Sequence, residues 1–352
     1  RARETFQQWR AAGVLAADEP HLYVYRMAFT DETGAARRMT GVVGALALSP
    51  AGDGSVLPHE RTSPKAKSDR LDLLRSVRAN LDPVWGLSLT SGLSALLEPV
   101  IAAGGPAASC VDEDGVEHCL FPVAGDVVDD IQAAVAFAPL VIADGHHRYE
   151  TALAYQEEQR AAGGDDPGAD RIMMLVVELA EDQLTVLPIH RLLRGVTGDF
   201  RVKLNFVGEV SPAGANNPEG VRNLLAEMDR TGSMGLVDGP GLALLRPRLD
   251  VLHRYVDALP EPLRDVDAAR FELMLEGMTL FRPLSEIEYR NDALTVAAMV
   301  AKGAADVAVL LRPVSVEQID TVAEAGLRMP QKTTFFQPKP LTGLVFRSLD
   351  LG

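Results

Sequence analysis

The segment Ala138-Pro139-Leu140-Val141-Ile142-Ala143-Asp144-Gly145-His146-His147-Arg148-Tyr149-Glu150 leaves the chain little freedom in local structure. Its apolar start reads as a short buried strand. Residues 151–158 have helix-forming composition, and Gly145 stands between the two. A strand, a tight glycine turn and a helix are predicted, with Asp144, His146, His147 and Arg148 gathered at the junction. The first N–H groups of a helix have no partner within it, and the helix dipole favours negative charge there, so such a junction receives phosphate. Glycine permits close backbone approach, and arginine offers a planar fork to phosphate or carboxylate oxygens. The alternative is a helix capped by Asp144 with solvated basic residues in its first turn.

Around this junction, strand and helix signals alternate along the chain. Residues 3–15 read as an amphipathic helix. Residues 21–29 and 37–48 read as paired strands across an Asp31-Glu32-Thr33-Gly34 turn, and residues 68–80 as a helix. Strands are expected at 83–89, 171–179, 183–187 and 201–207, and helices at 91–103, 126–137, 218–229 and 293–302. Ser315 is the expected N-cap of a helix running to residue 324. Hairpins mixed with helices give an α+β class rather than a doubly wound sheet. With 352 residues there is room for two domains. The Gly- and Asp-rich stretch at 161–168 suggests a division into 1–163 and 170–352, although it also suits a surface loop within one domain. Cys110 and Cys119 flank a polar turn, as free thiols or as a cross-strand pair.

Three further polar clusters accompany the turn. Pro58-His59-Glu60-Arg61-Thr62, with Lys65, Lys67, Asp69 and Arg70 close behind, suggests a local anion site in which Glu60 stays ionised, the alternative being a solvated helix start with surface ion pairs. That carboxylate can accept a hydroxyl proton or hold magnesium. Pro188-Ile189-His190-Arg191 ends a strand, and Lys332 and Lys339 stand beside Thr333 and Thr334 in a Pro-bounded tail. The net charge of −15 argues against broad nucleic-acid binding but leaves room for a local basic pocket. No apolar stretch reaches the roughly 20 residues needed to span a bilayer, and no signal peptide is present, so the cytoplasm is the expected compartment. Walker A, dinucleotide-fold and nucleophile-elbow motifs are absent from the sequence. Adjacent histidines at a helix start point apart, so a phosphate-orienting role fits them better than a transition-metal site.

Val56-Leu57-Pro58-His59-Glu60-Arg61-Thr62, Asp144-Gly145-His146-His147-Arg148-Tyr149-Glu150, Leu187-Pro188-Ile189-His190-Arg191 and Met329-Pro330-Gln331-Lys332-Thr333-Thr334-Phe335-Phe336 resemble, in order, the signature blocks of the bacterial and archaeal family called domain of unknown function 1015. That family carries an extra N-terminal segment with an A-P-P-Y-D-V-like stretch, which has no counterpart here. More distantly, P-H-E followed by D-G-H-H-R resembles the archaeal ADP-dependent free serine kinases of the ParB and sulfiredoxin-like superfamily. About 80 residues separate the two blocks here, and the C-terminal half has no counterpart in those kinases.

The resemblance implies a ParB/sulfiredoxin-like phosphate-binding core followed by a second mixed domain or large C-terminal elaboration. It implies a phosphotransferase acting on a small hydroxylated metabolite, such as an amino acid, with ATP or ADP and Mg2+. Glu60, Asp144 and His147 would be catalytic, with Asp144 also meeting the metal. Gly145, His146, Arg148, His59, Arg61, Lys67, Arg70, His190, Arg191 and Lys332 would bind nucleotide or phosphate. The alternatives are a nucleotide-binding switch without turnover and a metal-dependent phosphohydrolase or nuclease.

Overall fold

The computed structural model describes residues 1–19, 21–31, 34–50, 52–58, 67–163, 166–196, 200–239, 241–278 and 286–350. The chain separates into two compact units, Arg1–Thr185 together with Phe336–Gly352, and Val186–Phe335.

The first unit contains α1 (Ala2–Ala11), β1 (Leu22–Thr30), β2 (Ala36–Ala47), β3 (Val56–Pro58), α2 (Lys67–Val77), β4 (Ala79–Asn80), β5 (Val84–Ser88) and α3 (Leu93–Ala102). These are followed by β6 (Ala108–Val111), β7 (Glu117–Val123), α4 (Val127–Ala136), β8 (Leu140–Asp144), α5 (His146–Ala161) and β9 (Arg171–Glu178). Eight strands form one sheet in the order β3-β8-β5-β9-β2-β1-β7-β6. The predicted β1–β2 hairpin is present, with Tyr23 opposite Val43 and Thr30 opposite Ala36.

Alternation along the strands divides the core of this sheet. Val84, Leu140, Ile142, Ile172, Met174 and Val176 pack with Leu93, Leu97, Ile131 and Tyr149 of the helices. The intervening positions, including Trp85, Leu87, Val141, Met173 and Leu175, are also buried. A strand buried on both sides reads as a continuous apolar run, as Leu140-Val141-Ile142 does.

The chain crosses to the second unit in β10 (Thr185–Pro188). Beyond it lie β11 (His190–Arg194), α6 (Phe200–Val207), β12 (Gly208–Ala215), α7 (Pro218–Thr231), β13 (Met234–Asp238), β14 (Gly241–Pro247), α8 (His253–Val256) and α9 (Asp267–Met278). Then come β15 (Glu286–Arg290), α10 (Ala293–Ala301), β16 (Val307–Leu310) and α11 (Val316–Glu324), and the chain returns through β17 (Thr334–Gln337) to β18 (Arg347–Ser348). Six antiparallel strands run in the order β12-β14-β13-β16-β11-β15. Val221, Leu224 and Met228 of α7 join Val296 and Val300 of α10 over this sheet. Ser315 caps α11 as expected, within a reciprocal capping box with Gln318.

Two expectations change. The division near residue 163 gives way to one after Thr185, because β9 pairs with both β2 and β5 inside the first sheet. Residues 162–163 and 166–168 accordingly lie within the first unit. Residues 201–207, expected as a strand, belong to α6. Phe200, Leu204 and Val207 are buried at helical spacing, whereas Val202 and Phe206 are exposed.

The C-terminal return is tightly fitted. A Cβ added at Gly168 would lie 2.0 Å from the Leu349 carbonyl oxygen, and the Gly168 carbonyl accepts from Arg347 at 2.9 Å. Gly168→Ala therefore lowers the stability of the first unit by about 1–3 kcal/mol, the usual cost of overpacking. Urea unfolding followed by tryptophan fluorescence checks this, since both tryptophans, Trp9 and Trp85, lie in that unit.

Candidate functional site

The predicted strand, turn and helix are present, and the strand extends further than its apolar run suggests. β8 continues through Asp144, and α5 begins at His146. Gly145 occupies the N-cap position with φ 94°, without a side-chain cap, so the reading of Asp144 as N-cap is corrected. A Cβ on Gly145 would lie 2.9 Å from Nε and Nη2 of Arg148. Glycine is required here both for the left-handed backbone and for the guanidinium lying across it.

The register of β8 against β5 shifts at the same point. Gly86 pairs with Ile142 but Trp85 pairs with Asp144, leaving Ala143 as a bulge residue. Directly opposed residues share a face, so the bulge turns Asp144 to the side of Trp85 rather than the side of Ile142. There the Trp85 ring packs 5.5 Å from that of Phe336, and its buried Nε1 meets no acceptor among the described residues.

Asp144 is the centre of a charged network. Its Oδ2 accepts from Arg148 Nη2 at 2.9 Å and its Oδ1 from Lys339 Nζ at 2.6 Å. Arg148 also pairs through Nη1 with Asp82, whose Oδ1 accepts from the Thr342 hydroxyl at 3.2 Å. Burial, reinforced by the positive charge of Arg70, pushes the Arg148 pKa down to about 10, which leaves it cationic at neutral pH. Among the described residues its buried Nε meets no acceptor.

Lys339 is delivered by the chain's return, which a second network anchors. The Tyr25 hydroxyl accepts from the Leu341 N–H at 3.0 Å and lies 2.7 Å from His118 Nδ1. His118 Nε2 lies 3.0 Å from Asp112 Oδ2. The carboxylate can only accept, so Nε2 carries the proton and Nδ1 accepts from Tyr25. Burial pushes the Tyr25 hydroxyl pKa up, while the His118 bond holds Asp112 below its ordinary value.

The sequence-predicted residues fall into three groups. Asp144, Gly145, His146, His147 and Arg148 come together as expected, with both histidines partly buried in the first turn of α5. Arg70 is exposed on α2, close enough for its charge to act on Arg148, and Lys67 opens the same helix. His59, Glu60 and Arg61 lie outside the described residues.

His190, Arg191 and Lys332 belong to the second unit, where they are tied to one another. Arg191 is 4% exposed and donates to the carbonyls of Ile189, Lys332 and Gln331, with its guanidinium 4.9 Å from the Tyr289 ring centre. His190 is buried, and its Nδ1 accepts from the Leu311 N–H. These contacts make Arg191 and His190 braces within the second unit. Of the two tail lysines, Lys339 lies in the first unit and meets the turn. Asp82, Trp85 and Tyr25 were absent from the sequence-level site, because nothing local marks them.

Cys110 lies opposite His118 and Cys119 opposite Ser109, so the thiols point to opposite faces and both are free. Among the described residues, no three metal-ligating side chains converge, and no helix is long and apolar enough to cross a membrane.

The fold and this turn define a mixed α+β protein with a cation-braced strand–turn–helix in its first unit. The family model described as protein of unknown function (DUF1015) matches residues 1–268, and the chain belongs to that family. No curated protein matches the sequence. Among solved structures, the chain is similar to free serine kinase in complex with AMP, at 14% identity and TM-score 0.45, over 86% of this chain and 91% of that one. A point mutant of free serine kinase in complex with ADP gives the same values. A conserved hypothetical protein from Pyrococcus furiosus is similar at 13% identity and TM-score 0.43, over 88% and 95% of the two chains.

Burial holds the His190 pKa down at about 4, against an ordinary value of 6.5. The unfolded imidazole takes up a proton near 6.5 and the buried one only near 4. Stability is therefore lost as pH falls through that window, by up to about 3 kcal/mol. Thermal unfolding between pH 7 and 4.5 should show this slope, and His190→Asn, which keeps an acceptor for Leu311, should flatten it.

Proposed function

We propose that the protein is a cytoplasmic nucleotide-dependent phosphotransferase that phosphorylates the hydroxyl of a small metabolite, with an amino-acid hydroxyl as the leading acceptor. The observation that carries this reading is the parallel pairing of β3 with β8, in which Val56, Leu57 and Pro58 stand opposite Leu140, Val141 and Ile142. The chain therefore leaves β3 at the end of the sheet where Asp144 and Gly145 stand. His59 and Glu60 follow Pro58 directly in sequence. The end of β3 and the Asp144–Gly145 turn, about 80 residues apart in the chain, thus share one sheet end, which supports reading together the two blocks that resemble the free serine kinases. On this reading the first unit is a ParB/sulfiredoxin-like phosphate-binding core.

The residues fit an anion. A cationic side chain buried with an unanswered Nε is costly, and a phosphate oxygen answers it with a charge-assisted bond. The amides at the start of α5, with Gly145 allowing close approach, supply further donors. In the reaction, Glu60 takes the proton from the acceptor hydroxyl as its oxygen bonds to phosphorus. The bond to the nucleotide's leaving oxygen breaks, and Arg148 neutralises charge on the transferred group. His146 and His147 orient the phosphates. Asp144 holds Arg148 in place and provides a carboxylate on the ligand side. Magnesium, when bound, neutralises phosphate charge; Asp144 and Glu60 are the carboxylates that would meet it, since this ion takes one or two carboxylates along with phosphate oxygens.

A thermal-shift screen of ATP, ADP and AMP with and without magnesium tests the reading, because a ligand of the native state raises apparent stability by mass action. Stabilisation by ATP or ADP is expected. Glu60→Gln should keep that stabilisation while lowering formation of phosphorylated product by at least about a hundredfold. Stabilisation with undiminished function in Glu60→Gln would indicate a switch rather than a kinase, and no nucleotide effect at all would remove both readings.

A further inference from the structure

We propose that Lys339, carried by the C-terminal return, is a phosphate ligand of the Asp144–Arg148 turn, so that the turn's binding site is completed only by the last segment of the chain. This rests on the phosphate reading above and assigns to it a residue that lies 195 positions beyond Asp144.

Three observations support it. The bulge at Ala143 turns Asp144 toward the Trp85 side of the sheet, and Lys339 Nζ meets Asp144 Oδ1 at 2.6 Å. On that side the Trp85 indole is 1% exposed and its Nε1 meets no acceptor among the described residues, a second such donor in addition to that of Arg148. Packing of Phe336 against the same indole starts the return there, three residues before Lys339. Finally, the segment bearing Lys339 is fixed from both directions. Beyond the lysine, Leu341 bonds to Tyr25, which His118 and Asp112 hold, and Thr342 bonds to the same Asp82 that pairs with Arg148.

The charges point the same way. Asp82 and Asp144 are balanced by Arg148 and Lys339, so the network is neutral as it stands. Neutrality alone would not call for a lysine at an accessible position. Lys339 keeps 39% of its side chain exposed, more than the 20% of Arg148. An ammonium has three donors and a flexible stem, so it can keep a carboxylate partner and still turn a donor to a phosphate oxygen. Arg148 is the fixed cation of the site and Lys339 the adjustable one.

Inorganic pyrophosphate is the probe, titrated calorimetrically at constant ionic strength into the whole chain, with sulfate as a control for simple screening. Lys339→Met is expected to weaken pyrophosphate binding at least tenfold, and Lys339→Arg to recover most of the loss. Equal binding by wild type and Lys339→Met overturns the assignment while leaving the phosphate reading standing. Absence of binding to the wild type overturns both. A second measurement needs no variant: acetylation of Lys339 in the wild-type protein, followed by mass spectrometry, should slow severalfold with pyrophosphate and not with sulfate. An unchanged rate in the presence of bound pyrophosphate also overturns the proposal.

Discussion

The guanidinium of Arg148, laid across Gly145 and paired with Asp144 and Asp82, joins the parts of the first unit that matter for its chemistry. A charge taken this far from water is costly unless paired and hydrogen-bonded. Its partners come from the loop before β5, the end of β8 and, through Thr342, the C-terminal return. Each can be in place only if the other segments are. Gly145 is the geometric condition for the arrangement, because any side chain there would occupy the space of the guanidinium. The positive φ and the close approach are therefore one requirement seen from backbone and side chain.

The bulge at Ala143 supplies the second constraint. With regular pairing, Asp144 would share the face of Leu140 and Ile142, which packs against helices. A carboxylate there would face an apolar cluster. One extra residue in β8 moves it to the face that Phe336 and Lys339 reach. The C-terminal return is thus part of the turn's surroundings, and the Tyr25–His118–Asp112 chain acts on the turn by holding the backbone at Leu341 rather than by facing it.

Local features were legible in the sequence because local physics sets them. The strand–glycine–helix order around Gly145, the β1–β2 hairpin and the Ser315 capping box each depend on a few adjacent residues. What was not legible depends on partners far along the chain. Lys332 and Lys339 look alike in a Pro-bounded tail, and only the fold shows that the chain passes from one unit to the other between them. Arg191 resembles a phosphate-binding arginine by composition, yet it spends its donors on the carbonyls of its own unit. In α6, alternation and helical spacing coexist in eight residues, and burial of Phe200, Leu204 and Val207 selected the helix. Asp82 and Trp85 carry no motif and acquire meaning through pairing with residues near 144.

The overall charge makes this local arrangement consequential. A chain with 49 acidic and 34 basic residues repels a polyanionic ligand at long range. That repulsion is screened within about 8 Å at physiological salt, so what decides binding is the set of cations within a few ångströms of the ligand. Arg148 is held by two carboxylates, one at each of its terminal nitrogens, before any ligand arrives. Lys339 and Arg70, both more exposed, are the charges able to follow a phosphate. A site of this kind binds an anion by redistributing cations it already balances internally, which favours ligands that present several oxygens at once over a monovalent ion of the same size. On the proposed reading the ligand is a di- or triphosphate group, and the C-terminal return supplies one of the cations that meet it.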